Sequence, residues 1–261
     1  MSGPTIAPFV QRWGSGERAR VLLIHGLSAS SGQWWRIAPQ IASLGCTVVA
    51  ADLRGHGSSP PAESYTFEEL SSDLEQLGDH WDLIIGHSLG GPVACALAAR
   101  LGSVGALLLL DPFMDAADGT FDTLVSDQLS ELDPMATADS IREQHPDWHP
   151  EDCFRKAISA RLTSPQVVER CLGDNAPYHH LGLLEELSVP VSILGSDPHA
   201  GSLFDPESMR RVRNSFVDYR MVPGAGHSIQ REHPEAIVDA ARSLLDLVTS
   251  GRGRRRLSDS P

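Results

Sequence analysis

The sequence is poor in lysine, in long apolar runs and in net positive charge. Lys156 is the single lysine beside 20 arginines, so chemistry that needs a lysine Schiff base has one candidate. The longest apolar runs, 93–99 and 106–110, are far too short to cross a bilayer. The formal net charge of −13 argues against nucleic acid as a partner, because phosphate binding needs a basic surface. We therefore expect a small-molecule substrate, no nucleic acid and no membrane, with the oligomeric state left open.

The four cysteines show no paired C-x-x-C spacing of the kind that binds metals. Cys46 and Cys95 lie in apolar stretches and are interpreted as small core residues. The first residues lack a basic start followed by an apolar core, which is what a secretory signal requires. We therefore expect a cytoplasmic location.

Short apolar runs alternate with helical patterns through the first 111 residues. The runs predicted as strands in this part are 20–25, 46–52, 81–86 and 105–111. Thr66, followed by Glu69 in an amphipathic stretch, indicates a capped helix start. Near-continuous apolar strands separated by helices are typical of a parallel sheet with both faces covered.

The alternation stops at Pro112, and no strand pattern returns before about Leu187. Two further strands are then predicted at 189–197 and 216–223, followed by a helix at about 229–248. The predicted domains are a core of 1–111 and 188–250, a helical cap inserted at 112–187, and a disordered basic tail at 251–261. The predicted fold class is α/β, with a mostly parallel central sheet flanked by helices.

Ser88 lies in Gly86-His87-Ser88-Leu89-Gly90, where a predicted strand meets a predicted helix. A serine in G-x-S-x-G at such a junction occupies a strained turn that lifts its hydroxyl clear of the sheet. The amides at the start of the next helix favour negative charge that develops there. Ser88 is therefore the predicted nucleophile.

His227 follows the last predicted strand in the glycine-rich run Pro223-Gly224-Ala225-Gly226-His227. A serine needs an adjacent base, because its hydroxyl is barely ionised near neutral pH. A histidine on a loop at the carboxyl end of a strand can reach over the sheet toward it. His227 is therefore the predicted base.

The acid that orients this histidine has two candidates. Asp197 ends the strand 189–197 and completes the chain order Ser, Asp, His. Asp111 ends the strand 105–111, directly after the strand that carries Ser88. We favour Asp197 and keep Asp111 as the alternative.

The predicted oxyanion hole consists of the amides of Leu27 and Leu89.

Several segments together resemble the α/β-hydrolase superfamily, over about residues 18–250. They are His25-Gly26, Asp52-Leu53-Arg54-Gly55-His56-Gly57-Ser58, Gly86-His87-Ser88-Leu89-Gly90-Gly91, Gly195-Ser196-Asp197 and Gly224-Ala225-Gly226-His227. One departure is that the loop with Asp197 is a residue shorter than the common pattern. The resemblance is greatest to small esterase-like and lactonase-like members, and it implies a helical cap, no metal and no organic cofactor.

Serine at position 88 distinguishes between branches of that superfamily, because haloalkane dehalogenases and epoxide hydrolases carry an aspartate there. Aromatic and apolar residues predicted to contact substrate are Trp34, Phe113, Met114 and Trp148. We therefore expect hydrolysis of a carboxylic ester or lactone of a small, largely apolar substrate through an acyl-enzyme on Ser88. The alternatives are a lyase or carbon–carbon bond hydrolase with the same triad, and a ligand-binding member of the fold.

Overall fold

The computed structural model describes residues 4–116, 119 and 121–258, with the last eight described by their backbone alone. The strands of its sheet are β1 (Val10–Trp13), β2 (Ala19–Ile24), β3 (Cys46–Ala51), β4 (Trp81–His87), β5 (Val104–Leu110), β6 (Val191–Gly195) and β7 (Val217–Met221). Their order is β1-β3-β2-β4-β5-β6-β7. Only β1 pairs antiparallel, at the edge beside β3, so the sheet is mostly parallel as predicted.

The helices that flank the sheet or follow it are α1 (Ala38–Ser43), α2 (Phe67–Glu75), α3 (Gly90–Leu101), α9 (Ile229–Glu232) and α10 (Pro234–Ser258). Thr66 caps α2 as predicted, since its hydroxyl accepts the Glu69 amide at 3.3 Å. The helix predicted at 229–248 is divided at Pro234, which cannot continue the hydrogen-bond ladder of a preceding turn.

Alternation along β2 divides the core between the two faces of the sheet. Leu22 and Ile24 pack with α2 and α3 on one face, whereas Val21 and Leu23 pack toward α1 and α10 on the other. Every residue of β4 is buried, as expected for a strand covered on both faces.

Between β5 and β6 the chain forms the helices α4 (Phe121–Ser130), α5 (Ala138–Gln144), α6 (Pro150–Leu162), α7 (Pro165–Gly173) and α8 (Gly182–Glu185). These helices occupy the segment 112–187 predicted as a helical cap. Buried Asp152 of α6 ties them to the core, because its carboxylate accepts Trp35 Nε1 at 2.8 Å and Arg36 Nη2 at 3.1 Å.

No helix in the described part of the chain is long and apolar enough to cross a membrane. The tail predicted as disordered, 251–261, falls on residues whose side chains or whole placement lie outside the description, so that assignment stays a prediction.

Candidate active site

Ser88 occupies a tight turn between β4 and α3. Its φ is 51°, a left-handed backbone conformation that costs a non-glycine residue free energy and that clusters at functional sites. The turn is held from two sides. The Ser88 amide donates to the Leu110 carbonyl at 3.0 Å, and the Ser88 carbonyl accepts the Gly91 amide at 2.9 Å.

The glycines on either side of Ser88 are required by close backbone approaches. A Cβ at Gly86 would lie 2.2 Å from the Gly90 carbonyl oxygen, and a Cβ at Gly90 would lie 2.5 Å from that of Ile24. Real Cβ atoms do not approach backbone oxygen so closely. Any side chain at position 86 or 90 would therefore displace the backbone around Ser88.

His227 lies on the loop after β7, and this loop is fixed through its backbone. His87 Nε2 lies 3.0 Å from the His227 carbonyl oxygen, and Ser196 Oγ donates to the Gly226 carbonyl at 2.8 Å. The Gly226 amide donates to Glu232 Oε2 at 2.5 Å. Burial lowers the pKa of His87 well below its ordinary value, and the neighbouring His227 lowers it further. A neutral His87 therefore acts as a support for the His227 loop.

His25 has a similar supporting position. Its Nε2 accepts the Leu53 amide at 3.0 Å, and its Nδ1 lies 2.7 Å from the Gly26 carbonyl oxygen. Both ring nitrogens are thus engaged with backbone, which holds the loop after β2 in place.

The acid beside His227 is Asp111. Asp111 Oδ2 lies 2.7 Å from His227 Nδ1, and the carboxylate is fully buried. Like Ser88, Asp111 has a positive φ, of 39°, at the carboxyl end of a central strand. The turn at each strand end therefore directs a functional side chain over the same edge of the sheet.

The buried carboxylate of Asp111 is surrounded by donors. Ser202 Oγ donates to it at 2.7 Å, the Leu203 amide at 2.9 Å and the Phe204 amide at 3.2 Å. Burial alone would raise the pKa of Asp111, but the hydrogen bonds and the charge of His227, with these loop donors, lower it to about 2. Asp111 is therefore ionised at neutral pH.

The prediction that Asp197 orients His227 is wrong in the structure. The Asp197 carboxylate accepts the His199 amide at 2.9 Å and the Gly224 amide at 3.1 Å, and so caps the turn Pro198–Ala200. These backbone hydrogen bonds hold its pKa below the ordinary value. The short loop after β6 keeps Asp197 at the surface and brings Ser202 and Leu203 to Asp111 instead.

Ser88 and His227 line one cavity of about 260 Å³. Its apolar wall consists of Leu27, Leu89, Phe113, Leu124, Leu172 and Leu203. Polar residues from the segment between β5 and β6, Asp127, Gln128 and Glu131, complete the lining with Gly201. A small, mostly apolar molecule therefore fits beside the serine and the histidine.

The two residues predicted to supply oxyanion amides, Leu27 and Leu89, both lie in this lining beside Ser88. Leu89 stands directly before the first residue of α3, so its amide is one of the unpaired donors at a helix start. The arrangement suits an oxygen that becomes negatively charged.

Four aromatic and apolar residues were predicted to contact substrate, and one of them lines this cavity. Phe113 does so, whereas the predictions for Trp34 and Met114 are wrong. Trp34 packs with α1 beneath the sheet, and Met114 is fully buried in the core under the cap. Trp148 lines a neighbouring cavity.

The sequence analysis missed the contributions of Leu203 and of the acidic and amide side chains of α4. Leu203 lies on the loop after β6, which carries no motif beyond Gly195-Ser196-Asp197. The α4 residues Asp127 and Gln128 have the composition of a solvated helix face, so no pattern in the sequence distinguishes them from surface residues.

The buried carboxylate of Asp111 is placed to stabilise the His227 imidazole as a cation when that ring takes up a proton. Among the residues that the structure describes, no group of three His, Cys, Asp or Glu side chains could hold a metal ion.

Comparison with known proteins finds lipases among the relatives. A segment of 116 residues is 42% identical to the lipase LipV of Mycobacterium tuberculosis, which covers 42% of this chain and 43% of that protein. The chain thus matches less than half the length of that relative. A monoacylglycerol lipase of Mycolicibacterium smegmatis is 27% identical over 258 residues, which cover 89% of this chain and 87% of the relative.

Solved structures share the fold. E-2-(acetamidomethylene)succinate hydrolase superposes with a TM-score of 0.77 at 21% identity, over 92% of this chain and 96% of that one. The model of the alpha/beta hydrolase family matches residues 21–240. Because that match covers most of the chain, and because the sheet order and the Ser88 turn agree with it, the chain belongs to the alpha/beta hydrolase family.

Proposed function

We propose that the chain is a serine hydrolase that cleaves a carboxylic ester or lactone of a small, largely apolar substrate through an acyl-enzyme on Ser88. The observation that carries the proposal is the common cavity of Ser88 and His227, with buried Asp111 hydrogen-bonded to His227 Nδ1. The lipases among the relatives support ester hydrolysis. The small-molecule partner and the cytoplasmic location expected from the sequence belong to the same proposal.

In the first half of the proposed reaction, Ser88 Oγ attacks the carbonyl carbon while His227 Nε2 takes its proton. The amides of Leu27 and Leu89 stabilise the oxyanion, and Asp111 stabilises the imidazolium. The bond between the carbonyl carbon and the alcohol oxygen then breaks, and the leaving oxygen receives the proton from His227.

In the second half, His227 removes a proton from water, and the resulting hydroxide attacks the acyl carbon. The ester bond to Ser88 breaks, and Ser88 Oγ regains a proton from His227. The products are a carboxylic acid and an alcohol, or one hydroxy acid when the substrate is a lactone.

The apolar lining supports an apolar acyl group. Leu124 and Leu172 line the cavity together with Leu27 and Phe113. Burial of apolar surface contributes about 0.8 kcal/mol for each methylene, so an aliphatic acyl chain gains affinity there.

The test is turnover of p-nitrophenyl butyrate by the wild type, by Ser88→Ala and by the control Ser43→Ala on the exposed face of α1. We expect Ser88→Ala to lower kcat by at least about 10⁴-fold without loss of folded structure by circular dichroism. The control retains wild-type turnover. Retention of turnover in Ser88→Ala would contradict the proposal.

Product analysis in ¹⁸O-labelled water separates hydrolysis from a lyase reaction. Hydrolysis places one labelled oxygen in the acid product, whereas a lyase cleaves substrate without incorporating water. Stabilisation by a ligand with negligible turnover of every ester, lactone and thioester tested would favour a binding protein instead.

A further inference from the structure

A second cavity, of about 360 Å³, adjoins the first and shares Glu131, Gly201 and His227 with it. Its character differs, because charged side chains replace the leucines of the first cavity. The titratable groups in its lining are Glu131, His145, Lys156, His227, Arg231 and Glu232. The imidazole of His227 therefore stands between an apolar cavity and a charged one.

Both carboxylates of this second cavity have partners of their own. Glu131 Oε2 accepts Lys156 Nζ at 2.8 Å, so that these two charges compensate each other. Glu232 accepts the Gly226 amide with one oxygen at 2.5 Å and Trp148 Nε1 with the other at 3.2 Å. Glu131 is thus paired with a cation, whereas Glu232 is held by neutral donors.

Arg231 contacts no carboxylate directly, although the charges of Asp152, Glu131 and Glu232 act on it from farther away. Its residue is 8% exposed, and among the described residues no carboxylate oxygen lies within 4.0 Å of its guanidinium. Nη1 donates to Ser228 Oγ at 2.8 Å, and the guanidinium lies over the Trp148 ring, 4.6 Å from its centroid. Burial of a guanidinium costs free energy unless an anion pairs with it. The Arg231 guanidinium also has further N–H groups that are available to bind such an anion.

The position of the Arg231 guanidinium relative to the reacting atoms indicates which part of the substrate would pair with it. His227 must give its proton to the leaving oxygen, so the alcohol portion of the substrate lies on the His227 side. The apolar cavity accommodates the acyl portion, which leaves the charged cavity for the alcohol portion.

We propose that the second cavity binds the alcohol portion of the substrate and that Arg231 binds a carboxylate carried by that portion. A single negative charge matches the one guanidinium of this cavity that contacts no carboxylate, whereas the second charge of a dianion would be unpaired beside Glu131 and Glu232. The planar fork of arginine also matches the geometry of a carboxylate. This inference rests on the proposed function, because that function assigns the alcohol to the His227 side.

The test uses two esters of nearly equal shape, the hexanoate ester of glycolic acid and that of glycolamide. Binding to the inactive Ser88→Ala variant is measured by calorimetry. We expect the carboxylate ester to bind on the order of tenfold more tightly than the amide, as hydrogen bonds to charged groups do. Equal affinity for the two esters would overturn the inference.

Substitution of Arg231 tests whether this residue causes the preference for the carboxylate ester. In the Ser88→Ala background, Arg231→Met abolishes the preference, and Arg231→Lys retains part of it because a charge remains without the fork. The control Arg142→Met, on the exposed face of α5, leaves the preference intact. If Arg231→Met does not fold, the test rests on Arg231→Lys. An undiminished preference of Arg231→Lys for the carboxylate ester over the amide would overturn the inference.

Turnover of the same esters by the wild type distinguishes this inference from the proposed function. Hydrolysis of both esters at equal kcat/KM, with equal binding, contradicts the carboxylate site and leaves the hydrolase proposal standing. A binding preference without hydrolysis of either ester contradicts the hydrolase proposal and supports the carboxylate site.

Discussion

The side chains of His227 and Asp111 meet at 2.7 Å although 116 positions separate them in the chain. Asp111 directly follows β5, the strand beside β4, which Ser88 follows, and His227 reaches over the sheet from the loop after β7. Asp197, two residues beyond the end of β6, is instead hydrogen-bonded to backbone amides at the surface.

This relationship predicts that two aspartate-to-asparagine variants differ sharply in activity. Asp111→Asn removes the charge that supports the imidazolium of His227 and presents the wrong hydrogen-bonding group to Nδ1. We expect kcat to fall on the order of 10³- to 10⁴-fold. Asp197→Asn should stay within about threefold of wild type, because Asp197 contacts neither Ser88 nor His227. Steady-state kinetics with p-nitrophenyl butyrate measures both, and a larger loss in Asp197→Asn would contradict the assignment.

The lowered pKa of Asp111 predicts a specific dependence of stability on pH. Its pKa is about 2 in the folded chain, below the ordinary 3.8 expected after unfolding. The ionised carboxylate therefore stabilises the fold fully above about pH 4, and this contribution, about 2 kcal/mol, is lost as the pH falls from 4 to 2. Urea unfolding of wild type and Asp111→Asn at pH 7 and pH 3 measures it. A difference between the two proteins that grows on acidification would contradict the account.

The apolar cavity predicts selection by acyl chain length. Each added methylene that is buried should raise kcat/KM about fourfold until the 260 Å³ cavity is filled. Leu124→Trp extends an indole into this space from α4, so the rise should stop at shorter chains while acetate esters remain substrates. The control Leu162→Trp changes an exposed residue of α6 and should leave the profile unchanged. If kcat/KM depends on acyl chain length in Leu124→Trp as it does in the wild type, the acyl group does not bind in this cavity.

Much of the core could be predicted because its central strands are mostly apolar. The parallel strands and the Ser88 turn carry strong local patterns, whereas β1 has four residues, all at least partly exposed, and gave no such signal. Trp34 and Met114 were assigned to the substrate because an aromatic or apolar residue near a motif has the same pattern whether it faces a cavity or the core.

The choice between Asp111 and Asp197 shows a different limit of sequence reasoning. Both residues lie just beyond strand ends of the same sheet, and the assignment depends on which strand end the His227 loop reaches. It also depends on donors from Ser202 and Leu203, which come from a loop without a motif. Such tertiary contacts are absent from any local pattern.

The most direct test of the account is to look for the acyl group on Ser88. Wild-type protein mixed with p-nitrophenyl butyrate and quenched with acid during turnover is digested and analysed by mass spectrometry. We expect a butyryl group on the peptide that contains Ser88, and none in Ser88→Ala or in protein treated with a fluorophosphonate before the ester is added. Steady turnover with butyryl on another residue, or a butyryl adduct that persists in Ser88→Ala with activity, would contradict it.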